Sequence, residues 1–497
     1  MKDRKKEFLL VLGILILASF LRLYKIADYM TFLGDEGRDV LVVKKIIVDH
    51  KLTLLGPTAS VGGFFLGPLY YYLMVPFLWA FRLNPVGPAV MVALFGILTV
   101  WLVYKVGKEF FNSSVGLLSA GLYAISPLVV SYSRSSWNPN LMPLASLSII
   151  WFAFQAVKKK DWRWFLIVGF LFGLAIQLHY LTTFLMAVIA IYFLIFLPKK
   201  FYLKAFFFSL FGFMVGWLPL ILFEIRHNFP NFKTLYKFIF FGEETGFVAN
   251  KFLPIISNVS FRLFNRLVVN NQKLLASFLI FLVSGFFIYF WFTEKKKREI
   301  YSLLGIWLFV GILLFGFYQK GIYDYYFGFM FPLPFLLTGL AIEKMMRLNK
   351  TFLYIAILLY CYIVFLNIQK APLRYPPNRQ LEQTKNIAHF ILEKTEGQPF
   401  NLALISNSNT DFAYRYFLEI WEKSPVIIEP PQVDPERKTV TNQLFVICED
   451  KECQPLGHPL WEIAGFGMAK IKQEWEVYGV KIYKLVHRDS QNEKSNK

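Results

Sequence analysis

The stretch FLLVLGILILASFLRLYKI, residues 8–26, decides the fold class of this protein. No charged side chain occurs in it before Arg22, and a helix of about 17–25 apolar residues crosses a hydrocarbon core about 30 Å thick. The basic segment MKDRKK precedes the stretch, but no small-residue cleavage site comes before Arg22. We therefore predict a retained transmembrane helix and not a cleaved signal peptide.

Apolar stretches of similar length recur along the chain as far as residue 369. Of the 497 residues, 56% are hydrophobic and 19% are aromatic, a composition that excludes an ordinary soluble protein. Inside a bilayer the backbone must satisfy its own hydrogen bonds, and a helix does so within one segment. The sequence therefore predicts an α-helical polytopic membrane protein, with the lipid bilayer as its permanent partner.

The formal net charge of +20 arises largely from Lys and Arg residues in short connectors between the apolar stretches. Under the positive-inside rule these connectors are cytoplasmic anchors, so the charge indicates orientation in a membrane and no nucleic-acid partner. Their parity predicts about 11 transmembrane helices, with the N-terminus inside and everything after residue 370 outside. This parity allows no transmembrane span for the segment GPLYYYLMVPFLWAF, residues 67–81. We therefore predict that it forms an interfacial helix in the first external loop. The connectors are MKDRKK, KVGKEF, KKKDWR, PKKFYLK, EKKKRE and EKMMRLNK.

The long apolar stretches end before APLRYPPNRQ, a proline-rich segment, and shorter strand-like and helix-like runs follow it. We predict a transmembrane domain over 1–370, a linker over 371–385, a small external α/β domain over 386–490 and a disordered tail over 491–497. The runs FNLALIS, VIIEP, QLFVICED and VYGVKIYKLV are typical of strands, whereas LEQTKNIAHFILEK and DFAYRYFLEIW have helical spacing. Cys448 and Cys453 lie in this domain and can form a disulfide if it is outside the cytoplasm; as a metal site the pair is a weak signal.

The charged motif FLGDEGRDV, residues 32–40, follows the first apolar stretch and falls on the external side. Other polar groups converge on the same side, while the interiors of the predicted spans hold almost no ionisable residues. A pump or an ion-coupled carrier usually places such groups near the middle of the membrane, so the pattern favours chemistry at the outer interface. One such chemistry is glycosyl transfer from a lipid-phosphate-linked sugar: a carboxylate takes the proton of the acceptor hydroxyl, and cations neutralise the departing phosphate.

The order of the external motifs adds a family resemblance. An Asp-Glu pair comes just after the first span, then the proline-and-aromatic segment GPLYYYL, and then a Ser-Arg pair in SYSRSSWNPN, residues 131–140. This order, over roughly residues 1–340, resembles the glycosyltransferase C superfamily, particularly the branch of protein O-mannosyltransferases and lipid A aminoarabinose transferases. The resemblance implies a polyprenyl-phosphate-sugar donor, an extracytoplasmic acceptor, a plasma-membrane location and inversion by single displacement.

The resemblance also assigns candidate site residues. It places the catalytic base on Asp35, with Glu36 beside it as an orienting partner or acceptor ligand; the alternative is that both carboxylates only cap the following helix. The remaining candidates include His179, which is otherwise a turn histidine, and tyrosines that also suit an aromatic belt. Arg226 and His227 are otherwise interfacial anchors. We predict donor-phosphate contacts from Arg134, Arg226, His227 and Lys320, and sugar or acceptor contacts from Arg38, Tyr70, Asn138, Asn140, His179, Tyr323, Asp324 and Tyr325.

Two departures from the family pattern matter. Leu66-Gly67-Pro68 stands where the family often has a basic residue before the proline, so that phosphate contact is missing or supplied elsewhere. Trp137-Asn138-Pro139-Asn140 stands where many members have an acid after the Ser-Arg pair. With few hard anionic oxygens there, the case for a divalent metal is weak, and we predict no cofactor.

The predicted function is therefore a membrane glycosyltransferase that moves a hexose or a modified pentose to a protein, a lipid or a cell-envelope glycan. The rival from another class is a polytopic lipid or sugar transporter or flippase. It calls for inverted repeats or mid-membrane charges, and the sequence shows neither. A third reading is a catalytically silent envelope protein that binds through its C-terminal domain.

Overall fold

The computed structural model describes residues 2–59, 62–242 and 245–488, and the predicted disordered tail at 491–497 lies outside them. The described residues are mostly helical. In chain order the α-helices are α1 (Lys2–Leu23), α2 (Ile26–Tyr29), α3 (Gly34–Val48), α4 (Leu69–Ala80), α5 (Val86–Phe110), α6 (Ser113–Ile125), α7 (Pro127–Tyr132), α8 (Met142–Lys159), α9 (Trp162–Ala175), α10 (Thr182–Phe196), α11 (Tyr202–Gly216), α12 (Leu218–Arg226), α13 (Pro230–Phe241), α14 (Ala249–Asn265), α15 (Lys273–Thr293), α16 (Arg298–Phe315), α17 (Pro332–Met346), α18 (Lys350–Gln369), α19 (Gln380–Lys394), α20 (Phe412–Ile420) and α21 (Trp461–Ala464). The strands are β1 (Asn401–Ile405), β2 (Gln443–Cys448), β3 (Ala469–Val477) and β4 (Val480–His487).

The chain divides into two compact units, which we call the membrane unit and the α/β unit. The membrane unit comprises Met1–Ile26, Lys51–Phe77 and Gly87–Pro377. The α/β unit comprises Ala27–His50, Leu78–Val86 and Asn378–Lys497, so helix α3 from the first loop belongs to the same unit as the C-terminal sheet. The domain boundaries predicted from sequence stay a prediction.

The membrane unit carries the transmembrane candidates. Among the described residues, 5 helices are long and apolar enough to cross a membrane, or up to 7 if each of two bent pairs counts as one span. The bends are 74° between α11 and α12 and 61° before α17. Helix α4, with 12 residues, rises only about 18 Å and is too short to cross. The protein is thus a multi-pass membrane protein, while the count of 11 spans and their orientation stay a prediction.

Helices α9 and α11 pack closely through glycines four residues apart on each helix. A Cβ atom added at Gly173 would lie 2.9 Å from the Gly216 carbonyl carbon, and one added at Gly212 would lie 2.8 Å from the Phe170 nitrogen. Small residues at this spacing let helix backbones approach each other in a membrane. At the ends of these helices the Gln177 side chain donates to the Gly173 and Gly216 carbonyls, at 3.1 and 2.6 Å.

The α/β unit is built on one four-stranded sheet with the order β1-β2-β4-β3. Strands β1 and β2 are parallel, and the other neighbours are antiparallel. The core of this sheet is apolar; its members include Ala403, Leu444, Val446, Ile463 and Leu485. The predicted small C-terminal domain with a sheet is confirmed.

Two strand predictions in this unit are wrong. The run VIIEP, residues 426–430, forms no strand, because Pro430 and Pro431 end it and remove backbone donors. Conversely, β3 was not predicted, because most of its side chains are exposed and polar and it lies at the edge of the sheet. The predicted single strand VYGVKIYKLV contains the β3–β4 turn at Tyr478-Gly479, where both residues have positive φ, 54° and 76°. That geometry is the type I′ hairpin turn.

Candidate active site and carrier cavity

The start of helix α3 carries the Asp-Glu motif. Leu33 precedes the first helical residue, and its N–H donates to Glu36 Oε2 at 3.0 Å, which is the glutamate half of a capping box. The N–H of Gly34 donates to Asn409 Oδ1 at 2.8 Å, and that of Phe32 donates to Gln380 Oε1 at 3.2 Å. The amide groups that a helix start leaves unpaired are thus satisfied here by side chains from three segments of the α/β unit.

The two glycines of the motif allow α3 to lie directly on the segment before α20. A Cβ atom added at Gly34 would lie 2.9 Å from the Thr410 nitrogen. One added at Gly37 would lie 2.6 Å from the Phe412 carbonyl carbon and closer still to the Ala413 backbone. Backbone atoms cannot rotate away as a side chain can, so Gly37 is required for this approach.

The two adjacent carboxylates have different environments. The Asp35 side chain is 53% exposed, and its Oδ1 accepts from Arg38 Nη1 at 2.8 Å. The Glu36 side chain is buried, and burial raises the pKa of this carboxyl to about 7. Arg38 also donates to Oδ1 of the fully buried Asp39, through Nε at 3.0 Å and Nη2 at 2.8 Å. Glu36 thus caps the helix, whereas Asp35 faces solvent with an arginine that orients it.

An aromatic cluster in the membrane unit gathers three of the predicted sugar-site residues. Tyr325 packs edge-on against Trp137 with ring centroids 4.4 Å apart and stacks with Tyr323 at 5.8 Å. His179 stacks on Tyr180 at 4.6 Å and lies 5.9 Å from Tyr325. Burial lowers the pKa of His179 to about 3, so its imidazole is neutral. The cluster supplies aromatic faces and a neutral histidine, and no charge.

Asp324 is held by two arginines that the sequence reading missed. Its Oδ1 accepts from Arg262 Nε at 3.1 Å and from the other arm of the same guanidinium, and its Oδ2 accepts from Arg266 Nε at 3.0 Å. Arg262 also donates to the Ile322 carbonyl at 2.7 Å. Arg262 lies in the last turn of α14, and Arg266 is the residue directly after that helix, with backbone angles that are still helical. The two arginines are four residues apart and therefore project from one face, a spacing that was visible in the sequence. Asp324 organises a charged cluster with a surplus positive charge.

An apolar cavity of about 370 Å³ lies within the membrane unit. Aromatic and aliphatic side chains form most of its wall, among them Phe184 and Leu220. Polar side chains also line it, among them Thr183, Glu224, Asn231 and Thr245. Glu224 accepts the N–H groups of Asn231 and Phe232, at 3.2 and 3.0 Å, at the start of α13. Such a volume is typical of a cavity that buries a small ligand.

A wider pocket of about 840 Å³ shares Phe238 with this cavity. Three lysines line it: Lys233 and Lys237 from α13, and Lys320 from the predicted set. Lys233 and Lys237 were not predicted, although their spacing of four residues places them on one face of a helix. A pocket lined by three lysines and an apolar cavity therefore share one wall residue within the membrane unit.

Other predicted ligands contact the protein itself. Arg134 is 1% exposed, and its guanidinium donates to the Leu21, Tyr24 and Lys25 carbonyls at the end of α1. These contacts give Arg134 a structural role and lend no support to a phosphate contact. The remaining four are as follows: Tyr70 is buried and shares a 2.8 Å hydrogen bond with Ser136, Asn138 donates to the Leu178 carbonyl at 2.6 Å, Asn140 donates to the Ser135 carbonyl at 2.9 Å, and His227 shares a 2.9 Å hydrogen bond with the Phe223 carbonyl.

Arg226 ends α12 and is exposed, as its alternative role as an interfacial anchor also requires. Within the residues the structure describes, no group of three or more His, Cys, Asp or Glu side chains is placed to hold a metal ion.

Comparisons with known proteins give one family-model match and several similarities of fold. Residues 67–223 match the family model described as dolichyl-phosphate-mannose-protein mannosyltransferase. The fold is similar to that of ArnT from Cupriavidus metallidurans bound to undecaprenyl phosphate, with 13% identity, a TM-score of 0.64 and coverage of 96% of this chain and 97% of that chain. It is also similar to the archaeal oligosaccharyltransferase AglB from Archaeoglobus fulgidus in complex with an inhibitory peptide and a dolichol-phosphate, with 12% identity, a TM-score of 0.57 and coverage of 89% and 69%.

A search of the curated proteins returned no match. The resemblance predicted from the motifs is confirmed: this chain is similar to the glycosyltransferase C superfamily in sequence over residues 67–223 and in fold over nearly all of its length.

Proposed function

We propose that the protein is a membrane glycosyltransferase that moves a sugar from a polyprenyl-phosphate carrier to an extracytoplasmic acceptor. The observation that carries the proposal is the apolar cavity of about 370 Å³ beside a pocket lined by three lysines. An isoprenoid chain suits the apolar wall, and a phosphate suits the lysines. Both solved relatives named above are described with a polyprenyl-type phosphate bound, which supports the same carrier class here.

In the proposed reaction Asp35 is the general base. Its carboxylate takes the proton of the acceptor hydroxyl as that oxygen attacks the anomeric carbon. The bond from the anomeric carbon to the phosphate oxygen breaks with inversion, and the phosphate leaves on the carrier with its extra negative charge. Lys233, Lys237 and Lys320 stabilise that charge. These lysines take the place of the basic residue that the family often has before the proline and that Gly67 replaces here.

The topology, the cellular face and the acceptor classes predicted from the sequence enter the proposal unchanged. The chain crosses the plasma membrane about 11 times, with its N-terminus inside and its C-terminus outside, and the reaction takes place on the extracytoplasmic face. His179, Tyr323 and Tyr325 offer the sugar a neutral aromatic wall. The acceptor is a protein, a lipid or a cell-envelope glycan.

The decisive experiment for this function is mass spectrometry of the lipid fraction from cells with and without the protein. Cells that lack it should accumulate a polyprenyl-phosphate-linked sugar, because the consuming step is lost, and reintroduction of the wild-type chain should remove the excess. An unchanged pool of lipid-linked sugars would refute the proposal. If the sugar-loaded carrier instead accumulated on one leaflet of the membrane because it no longer crossed to the other, the protein would be a flippase.

A second measurement tests the cavity. Leu220 is 5% exposed and lines the cavity, so Leu220→Trp should fill part of it and raise KM for the lipid-linked donor by about tenfold, which corresponds to about 1.4 kcal/mol. Its matched control is Leu218→Trp on the same helix, where the leucine is 47% exposed and no change is expected. Equal KM values for the two variants and the wild type would remove the cavity from carrier binding.

A further inference from the structure

The position of the Asp35 carboxylate depends on a hydrogen bond made by Gly34, the residue before it. The N–H of Gly34, the first residue of α3, donates to Asn409 Oδ1 at 2.8 Å. This is a hydrogen bond between residues 375 positions apart in the chain, and both lie in the α/β unit. Among the contacts that hold the first turn of α3, the Asn409 side chain binds the residue directly before Asp35.

Asn409 is itself held in one orientation. Its Nδ2 donates to both carboxylate oxygens of Glu449, each at 2.9 Å. Its Oδ1 also accepts from the Thr410 N–H at 2.9 Å. An amide flipped the other way would direct an NH₂ group at two N–H donors and an oxygen at a carboxylate, so the hydrogen bonds determine which atom is which.

Glu449 in turn belongs to a short loop that is fixed at both ends. Cys448 is the last residue of β2 and forms a disulfide with Cys453. The N–H of Glu449 donates to the Ile405 carbonyl at the end of β1, at 3.1 Å. The Tyr414 hydroxyl donates to Glu449 Oε1 at 2.7 Å from a side chain that is 3% exposed. The carboxylate that holds Asn409 is thereby anchored to the carboxyl ends of both parallel strands.

We propose that Asn409 and Glu449 are positioning residues for the Asp35 carboxylate. The disulfide-closed loop after β2 orients Glu449, Glu449 orients Asn409, and Asn409 fixes the helix start from which Asp35 projects. A function of the C-terminal sheet is thus to hold the catalytic carboxylate of the first loop. The inference rests on the proposed function, because it takes Asp35 to be the general base. A displacement of about 1 Å at such a base costs about 100-fold in rate.

The test uses the full-length protein and reverses the polarity of the Asn409–Glu449 hydrogen bond. In Asn409→Asp one carboxylate oxygen still accepts from Gly34, but the other replaces Nδ2 and meets two Glu449 oxygens, so like charges repel. We expect kcat to fall about 10- to 100-fold with KM for the donor nearly unchanged. Glu449→Gln alone also loses the charge-assisted bond and should lower kcat less.

The double variant Asn409→Asp with Glu449→Gln restores the bond in the opposite sense. The glutamine NH₂ donates to the new aspartate, while its carbonyl oxygen accepts from Tyr414. We expect kcat to recover to within about threefold of the wild type, a coupling that only interacting residues show. The matched control is Asn442→Asp, an exposed amide beside β2, which should leave kcat unchanged.

Two outcomes overturn the inference: a wild-type kcat in Asn409→Asp, or a double variant no more active than Asn409→Asp. A third comparison separates positioning from general destabilisation, because in an Asp35→Asn background the Asn409→Asp change should cause no further loss of rate. A further loss there would contradict a role through Asp35. Failure of the proposed function has a different signature: the wild type itself then transfers no sugar.

Discussion

Asp35→Asn should lower kcat for sugar transfer by about 100- to 10,000-fold, the range that a lost general base accounts for. The amide cannot take the proton of the acceptor hydroxyl, yet it has nearly the shape of the carboxylate and can still accept from Arg38. Because Asp35 is 53% exposed and caps nothing in the described contacts, folding and membrane insertion should be normal. The measurement is single-turnover transfer from a polyprenyl-phosphate sugar, with thermal unfolding as the check on the fold.

Two controls make this result specific. Asp49→Asn removes an exposed carboxylate from the other end of α3 and should leave kcat unchanged. Glu36→Gln keeps an oxygen that can accept the Leu33 N–H, so we expect a much smaller loss of rate than for Asp35→Asn. If Glu36→Gln abolished transfer while Asp35→Asn did not, the two carboxylates would have the opposite roles, and unchanged transfer in both would end the base assignment.

Gly37→Ala should reduce transfer by about 100-fold, although residue 37 contributes no reacting group. The added methyl would overlap the backbone at Phe412 and Ala413, so α3 must move away from α20. Overpacking of this kind costs about 1–3 kcal/mol, and a helix displaced by an ångström moves Asp35 out of reach of the acceptor. Both kcat and the midpoint of thermal unfolding should fall.

The matched substitution for this prediction is Gly13→Ala in α1. A Cβ atom there meets no atom within 4 Å, and alanine has a higher helix propensity than glycine by about 1 kcal/mol. This variant should therefore be at least as stable as the wild type and fully active. Full activity in Gly37→Ala as well would show that the close approach of α3 to the 410–413 segment is irrelevant to the reaction.

Local patterns in the sequence sufficed for the class of the protein. Apolar stretches of transmembrane length that recur along the chain predict a multi-pass membrane protein, and the order of FLGDEGRDV, GPLYYYL and SYSRSSWNPN indicates the glycosyltransferase C resemblance. Both predictions are confirmed. The strands β1 and β2 were also visible, because their buried residues form nearly continuous apolar runs. β4 was included in a predicted strand that began before the β3–β4 turn. The edge strand β3 could not be predicted, because most of its side chains are exposed and it has no apolar pattern.

Only part of the candidate site could be predicted from the sequence. The sequence predicts that carboxylates and cations lie on the external side, but it does not show which of them are already paired. Arg134, which was predicted to bind phosphate, donates hydrogen bonds to carbonyl groups at and just after the end of α1. Asp324 pairs with Arg262 and Arg266. The three lysines of the wider pocket come from α13 and from Lys320, and sequence spacing relates only the two that share a helix.

By itself, then, the sequence determined the membrane class, the resemblance to a superfamily and the motif that carries the proposed base. Those properties depend on apolar length and on residues that are neighbours in the chain. Only the tertiary structure decided that Glu36 caps a helix while Asp35 is exposed, that Gly37 allows a backbone contact, and that Asn409 holds the helix start. The reason is that burial and hydrogen bonding depend on partners 375 residues away, and no local pattern records which distant side chain will occupy the place beside a given amide.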